Sequence, residues 1–145
     1  MLTQSRIRFY IVGFSLSLLL ALGCSSPTEE TPEEDTGLEP RLSSIQANVF
    51  SKTCAVSGCH NSADKQAGLD LSPGKAYSNL VNVRSSQVND LFRVKPGDPN
   101  NSYLIIKLEQ DNPPQGVRMP ASGNPLPQAT IDVIRQWIAD GAQNN

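Results

Sequence analysis

The residues whose types and spacing could carry chemistry lie between Cys54 and His60, in the order Cys-Ala-Val-Ser-Gly-Cys-His. Two nearby thiols can add across the two vinyl groups of a porphyrin, and a histidine directly after the second thiol can then bind the iron. The common spacer between the thiols has two residues, whereas four separate Cys54 from Cys59 here. Ser57 and Gly58 allow the longer spacer to bulge outward, because glycine adopts conformations that other residues avoid. We therefore predict thioether bonds from both cysteines to one haem, with His60 as an iron ligand.

A second iron ligand is indicated by counting the residues that could serve. The chain contains one histidine and two methionines, one of which is Met1. The other, Met119, lies in a segment rich in proline and glycine, where a loop can lay a thioether over the open face of a haem. Histidine and methionine together ligate iron in many haem proteins. We predict Met119 as the second ligand; the alternative is that it fills a gap in the core.

The cysteine pair has two other interpretations. Cys54 and Cys59 could form a disulfide in an oxidising compartment. Together with His60 they could bind zinc, but a fourth ligand is needed and the chain has no other histidine and only Cys24 as a further cysteine. The acidic residues show no pair poised for acid–base catalysis, and Asp64 is interpreted as an isolated acid.

Beyond this motif, several segments resemble the planctomycete-type cytochrome c domain and related bacterial c-type cytochromes. The resemblance covers almost everything from about Ser44 to Ala142, with matching segments at Ala67–Leu71, Val94–Pro99, Ser102–Ile105, Arg118–Pro120 and Ile134–Ala142. It implies an all-α cytochrome c fold and one covalently bound haem c. It also implies that Cys54 and Cys59 carry the thioethers, that His60 is the proximal ligand and that Met119 is the distal ligand.

The spacing of apolar residues predicts about four short helices joined by long loops rich in proline and glycine, arranged around one haem. Ile45, Val49 and Phe50, for example, share one face of the first helix. The family resemblance implies that the first and last helices cross at one haem edge, with Phe50 and Trp137 as candidates for the contact. The predicted helices run from a cap at Ser43 or Ser44 toward Cys54, from Ser72-Pro73 through Val81, from Asp98-Pro99 through Leu108, and from Pro127 to Gly141.

Residues 1–23 are predicted to be an export signal. Two arginines precede the apolar stretch Phe9–Leu22, which is shorter than the roughly 20 residues of a membrane-spanning helix. Leu20–Gly23 followed by Cys24 resembles the lipobox of bacterial lipoproteins, which implies cleavage before Cys24 and lipidation of its thiol. An ordinary cleaved signal and an uncleaved anchor are the alternatives. The lack of Asp after Cys24 implies, by the same resemblance, the periplasm-facing outer membrane of a Gram-negative bacterium.

The remainder of the chain divides into a linker, residues 24–42, and a folded domain, residues 43–145. Six of the 14 acidic residues fall between Glu29 and Glu39, in a segment rich in proline, serine and threonine that has little to bury and should stay extended. The formal net charge of −2 gives no reason to expect a nucleic-acid partner. A domain of about 100 residues has a modest core, which a large apolar cofactor would extend.

These features together lead us to expect an exported c-type cytochrome lipoprotein that exchanges electrons with redox partner proteins and is not itself an enzyme. Iron ligated by protein on both faces has no open position for a substrate. One alternative is a haem-containing redox subunit or ligand-binding domain of a larger oxidoreductase system. The other is a haem-free, disulfide-stabilised lipoprotein module that binds a partner.

Overall fold

The structure is a computed structural model that describes residues 37–145. Within this range the chain is helical and contains no strand, its β-structure being limited to isolated bridges such as Phe92 with Ser102. The α-helices are α1 (Leu42–Ile45), α2 (Ala76–Leu80), α3 (Tyr103–Glu109) and α4 (Gln128–Ala139). Single 3-10 turns lie at Gln66–Gly68 and Pro99–Asn101. The prediction of an all-α domain with about four short helices is confirmed for these residues.

Helix α1 passes without interruption into a π-helix, Gln46–Cys54. In a π-helix each N–H donates to the carbonyl five residues earlier, as the Ala55 N–H does to the Phe50 carbonyl at 2.7 Å. Ile45, Val49 and Phe50 are all buried, which confirms the predicted apolar face. π-Helical turns are rare in proteins, and those that occur are often found at functional sites. This one ends at Cys54, the first cysteine of the candidate pair.

The predicted serine cap of the first helix is wrong. The helix begins at Leu42, after Arg41, so Ser43 and Ser44 lie inside its first turn. The side-chain oxygen of Asn145 accepts a hydrogen bond from the Leu42 N–H at 3.0 Å, and the Asn145 backbone carbonyl accepts one from the Ser43 N–H at 2.7 Å. A partner distant in sequence thus satisfies N–H groups that a local cap would otherwise satisfy.

The other two predicted caps have different outcomes. Ser72 does not cap α2: its carbonyl accepts from the Lys75 N–H at 2.9 Å in a separate turn, and Lys75 then precedes the helix. Asp98 does act as a cap, because its carboxylate accepts from the Asn101 N–H at 3.2 Å. The turn that it caps is the 3-10 turn, however, and α3 begins separately after it.

The core joins both ends of the described chain. It comprises Leu42, Ile45, Val49, Phe50, Leu71, Ala76, Leu80, Val94, Ile105, Leu108, Ile131, Ile134, Trp137, Ile138 and Ala142. Helix α4 confirms the predicted last helix. Phe50 and Trp137 are each 1% exposed and belong to this one core. A haem edge beside them stays a prediction.

The predicted leader, residues 1–23, the predicted lipidation site at Cys24 and the predicted linker as far as residue 36 lie outside the described residues. Leu38, which falls in the predicted linker, packs against the core. Leu42, also in that linker, is 6% exposed and begins α1. Between residues 37 and 145 no helix is both long enough and apolar enough to span a membrane.

Candidate functional site

All four residues predicted to hold the cofactor line one cavity, which has a volume of about 430 Å³. Cys54 and Cys59 come from the end of the π-helix and the loop after it, His60 follows directly, and Met119 comes from the loop between α3 and α4. The other lining residues are Thr53, Gly58, Gln66, Ala67, Leu69, Leu71, Leu80, Ser85, Ser86, Gln87, Arg93, Tyr103, Leu104, Lys107, Leu108, Pro120, Ala121 and Ser122. A mostly apolar lining with a few polar groups, at this size, is typical of small-molecule and cofactor sites.

The spacer between the cysteines, residues 55–58, folds back on itself. The Cys59 N–H donates to the Val56 carbonyl at 3.1 Å, and the His60 N–H donates to the Cys54 carbonyl at 3.0 Å. Residues 56–58 are exposed, so the additional residues bulge outward, as the sequence predicts. The turn brings His60 next to the backbone of the first cysteine despite the longer spacer.

Gly58 makes this turn possible, because its φ of +78° lies in the left-handed region. A side chain there would meet nothing within 4 Å, so the penalty for alanine comes from the backbone alone. We expect Gly58→Ala to lower the free energy of unfolding by about 1 kcal/mol, as measured by urea denaturation. Gly58→Asn should be better tolerated, because asparagine adopts this conformation more readily. Equal and negligible effects of both substitutions would contradict a left-handed Gly58.

Asp64 is not the isolated acid that its sequence position indicates. Its carboxylate accepts a hydrogen bond from the Gly58 N–H at 2.7 Å, which ties the spacer to the following loop. Asn61 supports both segments, because its side-chain oxygen accepts from the Asp64 N–H at 2.7 Å and its amide donates to the Val56 carbonyl at 3.1 Å. Short-range side-chain to backbone bonding by Asn and Asp in turns is the signal that could have indicated this role.

His60 is held in the form that a metal ligand requires. Its Nδ1 lies 3.0 Å from the Gln66 carbonyl oxygen. A carbonyl only accepts hydrogen bonds, so Nδ1 carries the proton and Nε2 keeps the lone pair that can bind iron. Burial lowers the pKa of His60, which favours the neutral imidazole.

The loop that supplies this carbonyl is held in an unusual conformation. Lys65 and Ala67 have positive φ values of 44° and 54°, which are uncommon outside glycine. Arg93, which also lines the cavity, donates to the carbonyls of Ala67 and Gly68 at 3.1 and 3.2 Å and to that of Asn79 at 3.0 Å. Arg93 was not identified from the sequence, and its contacts hold the segment that orients His60.

Cys54 and Cys59 are free thiols in the structure. Burial, and to a lesser degree the neighbouring Cys59, raise the pKa of Cys54 to about 12. Burial therefore favours the neutral thiol over the thiolate at Cys54 while no metal or haem is bound. Across residues 37–145 no three His, Cys, Asp or Glu side chains are arranged to hold a metal ion between them.

Met119 is partly buried and packs against the core. Its N–H donates to the backbone carbonyl of Lys107 on α3 at 2.6 Å. The preceding Arg118 donates through Nε to the Leu108 carbonyl at 2.7 Å and pairs with Asp111 at 3.0 Å. The methionine is thus carried by a loop that is hydrogen-bonded along α3.

The site combines two thiols, a neutral imidazole and a thioether around an apolar cavity. This set can attach a porphyrin covalently and bind its iron, and no acidic residue lines the cavity.

No protein-family model, curated protein or solved structure matches the chain.

Proposed function

We propose that this chain is a c-type cytochrome domain that carries one covalently bound haem and transfers electrons. The observation that carries the proposal is that Cys54, Cys59, His60 and Met119 line one cavity although Met119 is far from the others in sequence. The two cysteines and His60 were predicted from their types and spacing, and Met119 from the count of available ligands and from the family resemblance. The resemblance to planctomycete-type cytochrome c domains supports the same assignment and extends it to a cytochrome c-like arrangement of the helices.

The residues present fit a haem c. Cys54 and Cys59 would carry the thioethers, and His60 and Met119 would bind the iron. The leucines of the lining suit the apolar porphyrin body. Arg93 adds positive charge to a lining without acids, which suits a ligand that bears carboxylates. When bound, the haem supplies an iron that alternates between the ferric and ferrous states.

An electron carrier is favoured over an enzyme because His60 and Met119 would both be available to bind the iron. With both bound, no coordination position would be left for a substrate. The chain would then tune the reduction potential through its ligands and through burial of the haem. If Met119 does not bind the iron, the ligand-binding or redox-subunit alternative takes precedence.

Absorption spectroscopy and intact mass measurement test the proposal on protein produced in a host with a c-type cytochrome maturation system. We expect a haem that stays attached after denaturation and a reduced form that does not readily bind carbon monoxide. A covalent haem with rapid carbon monoxide binding would favour the ligand-binding alternative. A colourless chain with a Cys54–Cys59 disulfide would favour the haem-free module.

We also propose that the domain is exported and lipid-anchored through Cys24 on the periplasmic side of the outer membrane. Stable anchoring needs more than one acyl chain, as bacterial lipoproteins have. We expect Cys24→Ala to abolish processing or release the domain from the membrane fraction, whereas Ser26→Ala should leave the fractionation unchanged. Membrane retention and normal processing of Cys24→Ala would contradict the lipoprotein assignment.

A further inference from the structure

Lys107 is an unusual residue in the wall of the cavity. It lies on α3 between two apolar residues and is only 7% exposed. Burial of an ammonium group is costly unless its donors are satisfied. None of the ion pairs found among residues 37–145 involves Lys107, so its charge is not offset there by a carboxylate.

The donors of Lys107 are directed instead to the loop that carries Met119, residues 110–127. Its Nζ donates to the Gln115 carbonyl at 3.0 Å and also to the Val117 carbonyl. Hydrogen bonds from a charged donor are roughly twice as strong as those between neutral groups. The Tyr103 hydroxyl donates to the same Gln115 carbonyl at 3.1 Å, which adds a second attachment from α3.

The backbone of Lys107 completes the attachment. Its carbonyl accepts from the Met119 N–H at 2.6 Å, so one residue holds positions 115, 117 and 119 of the loop. Packing around the ammonium is close, because a Cβ added at Gly116 would lie 3.2 Å from Nζ. The loop therefore has little freedom to move relative to α3 while these contacts persist.

We propose that Lys107 is a positioning residue that clamps the Met119 loop to α3 and thereby determines how firmly the Met119 thioether stays on the iron. The inference rests on the proposed haem function. Lys107 acts through the loop backbone and need not touch the iron. Loss of the clamp should leave the thioethers and His60 ligation in place while the distal ligand dissociates more often.

The first test is Lys107→Leu. Leucine replaces the apolar stem of the lysine side chain, removes the ammonium group and introduces no new iron ligand. Loss of even one charge-assisted bond should raise the equilibrium constant for loop opening about tenfold, equivalent to about 1.4 kcal/mol. We expect carbon monoxide to bind the reduced protein about tenfold faster. The sulfur-to-iron charge-transfer band of the ferric protein should weaken at temperatures below global unfolding. Lys75→Leu removes an equal charge from an exposed residue and should change neither readout.

A second pair of variants perturbs the clamp from the loop side and leaves α3 intact. Gly116 and Gly123 both have positive φ values, 72° and 83°, so alanine strains the backbone at either position. Only at Gly116 would the new Cβ press on Lys107, since nothing lies within 4 Å at Gly123. We expect Gly116→Ala to weaken the charge-transfer band and to speed hydrogen exchange in the loop more than Gly123→Ala does.

The possible outcomes separate this inference from the proposed function. If the parent protein shows sulfur ligation and Lys107→Leu keeps the band and the carbon monoxide rate, the positioning role is wrong while the haem assignment stands. Equal effects of Gly116→Ala and Gly123→Ala would also contradict the role, and would do so even if Lys107→Leu failed to fold. A parent protein without covalent haem would overturn both proposals.

Discussion

Simultaneous replacement of Cys54 and Cys59 by serine is expected to abolish covalent haem attachment and most of the cooperative folding. No thioether can form, so any haem taken up should be extracted by acid and organic solvent. Without the haem, the mostly apolar lining of the cavity would face water and lose the porphyrin surface against which it would otherwise pack. A domain of this size buries only a modest core, so the loss of these contacts should remove much of its stability. Intact mass and urea denaturation monitored by circular dichroism measure the two effects.

Single substitutions provide the intermediate cases and the control. Cys54→Ser and Cys59→Ser should each retain at most one thioether, with a shifted pyridine haemochrome band. Cys24→Ser changes the remaining cysteine and should leave the haem fully attached to whatever protein is recovered. A haem-free parent that unfolds cooperatively with a Cys54–Cys59 disulfide would contradict the haem assignment.

The candidate ligands could be identified from the sequence because their chemistry depends on residue type. Few side chains can form a thioether to a porphyrin or bind its iron, and a chain with one histidine leaves little choice. The structure adds that Met119 shares a cavity with His60, which spacing alone could not establish. The supporting residues were missed for the opposite reason. Lys107 and Arg93 bind backbone carbonyls of other segments, 8 to 26 residues away, and a sequence pattern does not reveal which carbonyls face inward.

For the helices as well, features with a local cause could be predicted from the sequence, and features with a long-range cause could not. The apolar face of α4 is repeated over three turns, so its position could be predicted. The π-helix could not, because Ile45, Val49 and Phe50 share one face of an α-helix as well. The serine cap was mispredicted because Asn145, a partner about 100 residues away, occupies the start of α1. The position of Lys107 in an otherwise apolar turn of α3 indicates that it needs an acceptor, but it does not indicate which carbonyls accept from it.

Met119→Ala is expected to open one axial position of the iron while the haem stays covalently attached. Water should then bind the ferric protein and carbon monoxide the ferrous protein. The reduction potential should fall, because thioether ligation raises the potential of haem iron. Stability should decrease by about 2–3 kcal/mol, toward the lower end for truncation of a methionine, since Met119 is only partly buried.

Met119→Leu separates iron ligation from packing. Leucine keeps nearly the same apolar volume, so the packing loss should stay below about 1.5 kcal/mol. If Met119 is the ligand, Met119→Leu should lose the charge-transfer band and bind carbon monoxide as Met119→Ala does. If Met119 only fills the core, Met119→Leu should match the parent in both spectrum and ligand binding. If the parent protein lacks the band and already binds carbon monoxide freely, Met119 is not an iron ligand. The function would then be ligand binding or catalysis at the open coordination position.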